Sequence, residues 1–459
     1  MAIPRNLSNF APKLTSTGGL GTTFASTPTA LGTVYGLTTA ASLYTSTLGY
    51  QAGNSITSGA SNNFIGATAG YNTNSGTQNQ TLGNSALYYN TTGSYNVAVG
   101  GAALFNNTAS NNTAVGYQAA YTNTNTNSIT AVGWKAAYAL SNNNANTYGE
   151  VYIGALSGLS ATTAIDNVVV GAQAGRDLTT GSLISALGSG ALRSNTTGGN
   201  NSAVGYQALF NNTTASNNTA LGFQALKANT TAASNTALGS NALVTNTTGA
   251  SNVAIGADAG YAVTTASYVT LVGYYAGGGI TTGVRNTCIG YRAGEWSTTT
   301  TTGDQNVYIG SYVRGSAATN QKEIVIGEDI VGKGTSTFYA GGGNAYNYNN
   351  TTTWATTSDQ RLKKNIVDNN DGLDKINSIR VRNFEYRTEE EVTELPTHAV
   401  IKKQGVQLGV IAQELQAVLP DCVKQESTGV LIVDTDNLTW YLINAVKQLK
   451  AEIDQLKGN

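Results

Sequence analysis

The sequence predicts a mostly β protein: a trimeric parallel β-roll or β-solenoid shaft of about 17-residue coils, followed by a small α+β domain that ends in a coiled-coil helix. Three observations predict it. An aliphatic residue followed by glycine recurs eighteen times between Gly32 and Gly327. The residues between these pairs are chiefly Asn, Thr, Ser, Gly and Ala, which make poor helices in that mixture but suit short strands and turns. Finally, the charge density changes abruptly: residues 1–322 hold only 10 of the 24 Lys and Arg and 6 of the 25 Asp and Glu, so the remainder reads as an ordinary charged domain.

Residues 1–28 carry three of the five prolines, Pro4, Pro12 and Pro28, and share nothing obvious with the repeats after them, so they read as a separate N-terminal segment, either an attachment to a larger assembly or a floppy terminus, the latter being the commoner case for a chain end. No apolar stretch there has the length of a signal-peptide core, and no run in the chain approaches a membrane span. The net charge of −1 and the absence of a basic cluster before Arg361 offer no electrostatic footprint for nucleic acid or an anionic membrane surface.

From residue 29 to 335 the repeat dominates. Of seventeen intervals between the marked glycines, fourteen are 17 residues long and the others are 16, 21 and 20. The residue before the glycine is Val, Ile or Leu in all eighteen repeats, the residue three after it is Ala in fourteen, and the residue four before it is Asn in eleven. Asn201-Ser-Ala-Val-Gly-Tyr-Gln-Ala-Leu209 is a representative repeat. Coils stacked about 4.8 Å apart satisfy one another's backbone groups. Glycine at a fixed point suits a tight turn or a close backbone approach, and stacked asparagines form hydrogen-bonded ladders. Strand alternation, carried through the glycine, puts Val204, Tyr206 and Ala208 on the core side and Ala203, Gly205 and Gln207 outside. Aromatics one residue after the glycine (Tyr50, Tyr117, Trp134, Tyr206, Phe223, Tyr274 and Tyr291) then pack inward; facing outward, they would form a carbohydrate-binding stripe. Side chains this small bury little area in a single coil, hence the expectation of three chains packed together. Insertions at Ser141–Tyr148 and Glu295–Asp304, the second with Trp296, map to surface loops.

The spacing of Asn-x-Ala-Val-Gly resembles the head repeats of trimeric autotransporter adhesins, which implies a left-handed parallel β-roll over residues 29–335. The 17-residue period is somewhat longer than theirs, and neither a signal peptide nor a membrane-anchoring barrel accompanies it.

Residues 336–357, with Gly341-Gly-Gly343 and Tyr346-Asn-Tyr348, read as a turn-rich stub and linker. The third domain, 358–459, opens with Ser358-Asp359-Gln360-Arg361-Leu362-Lys363-Lys364-Asn365-Ile366. Leu408–Leu419 reads as an amphipathic helix with Ile411, Leu415, Val418 and Leu419 on one side, stopped by Pro420, and Val430–Val433 as a strand. Leu442, Val446, Leu449, Ile453 and Leu456 recur at alternating four- and three-residue spacing, the pattern of a coiled-coil seam between chains.

Ser358, Asp359, Arg361, Lys363 and Asn365, followed by Gln413, Glu414 and the terminal helix, resemble the intramolecular chaperone domain at the C-termini of phage tailspikes and tail fibres of the endosialidase type. That resemblance implies a domain that aligns three chains in a virion fibre assembled in the host cytoplasm and then releases itself by autoproteolysis. It implies a scissile bond at Thr357–Ser358, with Ser358 as nucleophile and Lys363 as base. It also implies attachment to the particle through the N-terminus and contact with a host surface glycan or protein, while a purely structural virion spacer is the alternative. Serine needs a neighbouring base to become nucleophilic, and a lysine can fill that role. Five residues along an α-helix is about 500° of rotation, so on a helix the two side chains would not share a face. A plainer assignment makes Ser358 a helix cap with Lys363 solvated.

Other chemistry has little support in the letters. His398, the single histidine, suggests surface or packing, and no metal or other cofactor is expected. Cys288 and Cys422, on opposite sides of the domain boundary, suggest no disulfide framework. A glycan hydrolase needs two carboxylates about 5–10 Å apart, for which Asp166 and Asp177 are the nearest candidates.

Overall fold

A computed structural model describes residues 44–141, 149–295, 301–341, 358–395, 400–401, 403–425 and 429–458. The attachment segment, most of the first insertion, residues 296–300 of the second including Trp296, most of the stub, Thr357 and His398 lie outside the described residues. Two compact units divide the chain, Met1–Ser240 and Asn241–Asn459.

In the first unit each described coil contributes one short strand, from Ser46–Leu48 to Thr236–Leu238, and the rest of the coil is turns. Strands pair in parallel with no register drift: Ser202, Ala203 and Val204 stand level with Thr219, Ala220 and Leu221 of the next coil. The turns bond between coils as well, as where Gln207 N–H donates to Ser189 O at 3.0 Å and Leu192 N–H to Ala208 O at 3.0 Å. The second unit repeats this arrangement from Val253–Ile255 to Phe338–Ala340. The mostly β solenoid predicted from the 17-residue repeat is the fold.

Which side faces inward differs from the alternation argument. Ala203, two before the glycine, is fully buried, whereas Val204 is only half-buried and Tyr206 is 47% exposed. The reason lies at the glycine itself. Gly205 has φ of 134°, Gln207 55° and Leu209 52°, so the extended chain ends there and parity does not continue through the turn. Ala208 and Leu209 then re-enter the core, completing it with Ala203. A Cβ at Gly205 would sit 2.3 Å from Gly222 O of the next coil, which is why this position is glycine in every repeat.

The asparagines four before the glycine are buried and do two jobs. Asn201 Oδ1 accepts the Asn218 backbone N–H at 3.0 Å in the next coil, and its Nδ2 donates to Ala215 O at 2.8 Å. Asn218 repeats both bonds, to Asn235 N–H at 2.9 Å and Ala232 O at 3.0 Å. Each coil thus helps satisfy buried backbone groups of its neighbour, the carbonyls also receiving Asn212 Nδ2 and Asn229 Nδ2 at 3.0 Å. Glutamate takes this place twice. Glu150, in the first unit, is buried beside the insertion, and Tyr152 Oη donates to its Oε2 at 3.0 Å, leaving Oε1 with no partner among the described residues. Glu323, in the second unit, accepts Gly334 N–H at 2.7 Å and Asn320 Nδ2 at 3.0 Å, where the next strand follows after only 14 residues.

The second unit also contains the C-terminal α+β domain. Its order is a helix α1 (Leu373–Asn377), an antiparallel ribbon of Arg382–Phe384 and Gln407–Gly409, helix α2 (Ala412–Val418), a second ribbon of Val423–Gln425 and Leu431–Val433, and helix α3 (Thr435–Gly458). The helix expected over Leu408–Leu419 is shorter, because Leu408 and Gly409 pair with the preceding ribbon strand and Ile411 is still extended before α2 begins. Leu415, Leu419, Cys422 and Val423 form its core, with Leu438 and Tyr441 of α3 against them. Gln448 on α3 accepts Leu373 N–H at 2.6 Å and donates to Asn370 O at 2.7 Å, fastening α1 to α3. Cys288 and Cys422 are both free and buried.

Candidate processing and assembly site

Asp359 starts the site. Its backbone is extended (φ −72°, ψ 131°) and its Oδ1 accepts the Arg361 N–H at 2.8 Å, so Asp359, not Ser358, caps the short 3-10 turn Gln360–Leu362. Arg361 turns back on the same carboxylate, Nη2 to Oδ2 at 2.6 Å, and holds the Asp359 carboxyl below its ordinary pKa. After the turn Lys363 is extended (φ −113°, ψ 145°), its N–H donating to Gln360 O at 3.1 Å. One 3-10 turn between two extended residues folds the chain back on itself, and Lys363 Nζ donates to Ser358 Oγ at 2.5 Å. The α-helical separation that argued against this pair does not apply, because no α-helix forms there. Ser358 and Lys363 are both exposed in the single chain. Asn365 follows, beyond the turn, with φ of 55°, a left-handed conformation that asparagine tolerates.

The remaining motif residues sit elsewhere in the domain. Gln413 is exposed on α2. Glu414 on α2 receives Arg382 of the first ribbon through two bonds, 3.2 Å from Nε and 2.7 Å from Nη2, with Arg380 at 3.7 Å. This fork ties the ribbon to α2 and depresses the Glu414 carboxyl pKa. Neither arginine was singled out by the sequence, although Arg380 and Arg382 stand two apart, which places them on one side of an extended segment.

On α3 the predicted seam is unfilled. Leu442, Val446, Leu449, Ile453 and Leu456 are all exposed, Val446 at 65%, while Tyr441, Asn444, Ala445 and Gln448 face their own domain.

The carbohydrate-facing candidates of the shaft are placed differently from expectation. The aromatics after the glycine are exposed, but Tyr206 and Phe223 stack with ring centroids 5.5 Å apart, as do Tyr274 and Tyr291 at 5.5 Å. A second column, Tyr71, Tyr88, Phe105, Tyr121 and Tyr138, stacks at 5.0 to 5.2 Å. In the five-ring column the inner ring faces are spent on one another, whereas a two-ring stack such as Tyr206–Phe223 uses only one face of each ring. Asp177 is held by Arg176 at 2.7 Å, and Asp166 occupies a left-handed turn at φ 56°, so the proposed carboxylate pair has one member already engaged.

The turn, the ribbon and α2 together decide what the C-terminal domain is. Residues 358–424 match the family described as the chaperone of endosialidase. No curated protein matches the chain. The chaperone match begins at Ser358 itself, takes in the Ser358–Lys363 turn and the Arg382–Glu414 fork, and ends before α3. Behind a β-solenoid shaft of 17-residue coils, the chain thus carries an endosialidase-type chaperone domain. No helix among the described residues is long and apolar enough to cross a membrane.

Proposed function

We propose that the protein is a homotrimeric phage fibre whose C-terminal domain chaperones assembly of the shaft and releases itself by cleavage at Thr357–Ser358. The observation that carries this reading is the chaperone-of-endosialidase segment directly behind a repeating β-solenoid. A shaft of near-identical coils can pair one coil out of register and still bury similar faces, so it needs an aligning device. The exposed apolar row of α3 is suited to that task, because it can be covered by the same row of other copies. For release, Lys363 as the neutral amine would take the proton of Ser358 Oγ as the oxygen attacks the Thr357 carbonyl carbon, and would then pass that proton to the departing nitrogen. The amide nitrogen leaves protonated as the new amine of Ser358, and water then hydrolyses the ester between Thr357 and the Ser358 oxygen. The N-terminal segment would join the particle, and the shaft or its newly exposed end would meet a host surface glycan or protein. A spacer without a receptor is the second reading, favoured by the column from Tyr71 to Tyr138, whose inner ring faces are occupied by one another.

Full-length chain and a form lacking residues 358–459 separate the outcomes. Sedimentation should show trimers for the first and heterogeneous aggregates for the second; equal, uniform trimers from both would remove the chaperone role. Glycan-array and host-cell binding by the trimer distinguishes the receptor fibre from the spacer.

A further inference from the structure

Charge is scarce in the first part of the shaft, and its cations share one place. Residues 44–240 hold four Lys or Arg: Lys135, Arg176, Arg193 and Lys227. Three of them occupy the fifth position after the repeat glycine, the position that also carries the stacked rings from Tyr71 to Tyr138. In the coils after Tyr138 that position reads Leu159, Arg176, Arg193, Phe210 and Lys227. A backbone ladder keeps successive residues level: Asp177 N–H donates to Arg193 O at 2.9 Å, Ser194 N–H to Phe210 O at 3.0 Å and Asn211 N–H to Lys227 O at 3.1 Å. The fourth cation joins from the side, Lys135 Nζ lying 5.3 Å from the centre of the Tyr138 ring. Ten coils about 4.8 Å apart make a stripe roughly 43 Å long.

Solubility does not account for this placement. Charges that serve solubility are of both signs and interspersed over the surface. None of these four cations lies off the stripe, and of the three acids in the same span Glu150 is buried, Asp177 is bound to Arg176 and Asp166 occupies a turn elsewhere in its coil. The polar groups of the stripe are also open to a ligand. Arg193 Nε donates to Gln173 Oε1 at 3.1 Å and its guanidinium lies over Phe210 at 5.1 Å, which fixes the group while both Nη atoms make no hydrogen bond among the described residues. Neither Lys227 Nζ nor the hydroxyls of Tyr71, Tyr88, Tyr121 and Tyr138 have a hydrogen-bond partner among the described residues, and all five side chains are half-buried.

We propose that the stripe binds an anionic polysaccharide whose chain lies along the stacking direction. Arg193 and Lys227, two coils or about 10 Å apart, meet acidic groups of the polymer, and the tyrosine hydroxyls bond sugar hydroxyls further along. Nucleic acid fits less well, because base stacking needs open ring faces and the inner faces of the five-ring column are occupied by one another. The assignment rests on the receptor-fibre reading above and gives it a place and a charge class.

The test is binding of the full-length protein to immobilised polygalacturonate, dextran sulfate, neutral dextran and single-stranded DNA. Binding to at least one of the two anionic glycans, weakened by added salt, and none to dextran is the expected result. Arg193→Gln/Lys227→Gln should weaken it roughly tenfold. Arg193→Lys/Lys227→Arg, which keeps both charges, and Lys322→Gln, which removes an exposed charge in the second unit, should retain it. Thermal unfolding checks that the shaft is intact in each variant. Binding to the anionic glycans no better than to dextran, tighter binding to DNA, or unchanged binding by Arg193→Gln/Lys227→Gln overturns the assignment. If the wild type then still attaches to host cells, the receptor-fibre reading survives without the stripe; if attachment fails as well, both fall.

Discussion

Lys363 Nζ reaches Ser358 Oγ at 2.5 Å across one 3-10 turn of the same chain. The pair therefore needs no residue from a neighbouring subunit to form, and any cleavage it supports is carried in cis. Mass spectrometry of the assembled wild type should give a fragment ending at Thr357, and Ser358→Ala should give none. Lys363→Met should slow release by about 10²–10⁴-fold, the usual contribution of a positioned general base. Cleavage of Lys363→Met at the wild-type rate would exclude the lysine as base.

The shaft should be intolerant at its glycines and ladder asparagines and tolerant on its turns. Gly205→Ala forces a Cβ to within 2.3 Å of a backbone oxygen at φ 134°, and the backbone conformation alone costs on the order of 1–3 kcal/mol. Asn218→Ala removes the Asn218 Oδ1 acceptor of the Asn235 N–H and one of the donors to Ala232 O, which keeps Asn229 Nδ2 at 3.0 Å, so the cost is about 1–3 kcal/mol, chiefly from the one buried N–H. Thr214→Ala, on an exposed turn, should stay within about 0.5 kcal/mol. Thermal unfolding followed by circular dichroism ranks the three, and equal midpoints would contradict the ladder account.

Glu150 should make the first unit less stable as pH rises. Burial lifts its pKa from the ordinary 4.5 to about 7, against the smaller opposing effect of the Tyr152 hydroxyl. Between those values the folded chain holds the proton that the unfolded chain has released, so stability falls from pH 4.5 to 7 and levels off above. The full effect is about 3 kcal/mol. Glu150→Gln should flatten this slope in pH-dependent unfolding and raise the melting midpoint at pH 8; an unchanged slope would place the titration elsewhere.

The repeat was legible because its constraints act on the backbone. Gly205 and Asn201 each answer to the neighbouring coil, one by yielding space and the other by bonding, and only particular residue types do either. The inward face was not legible, since alternation is a property of strands and the strand stops at Val204; Tyr206 lies beyond the rule that was used to place it. In the C-terminal domain, family resemblance named Ser358 and Lys363 while helix geometry spoke against them, because a 3-10 turn entered and left by extended residues has no plain signature in the letters. Arg382 and Glu414, 32 residues apart, meet only once the ribbon and α2 have formed.

Glu323 gives the repeat a full stop. Every asparagine rung hands an acceptor to the coil beyond it, so a solenoid ending on asparagine would present a vacant acceptor and an open strand to any similar end it met. The Glu323 carboxylate instead takes its donors from Gly334 and Asn320 within the shortened closing turn. The asparagine ladder therefore closes at Glu323, one coil before the last strand, Phe338–Ala340: the same rung could not be continued there without breaking those bonds.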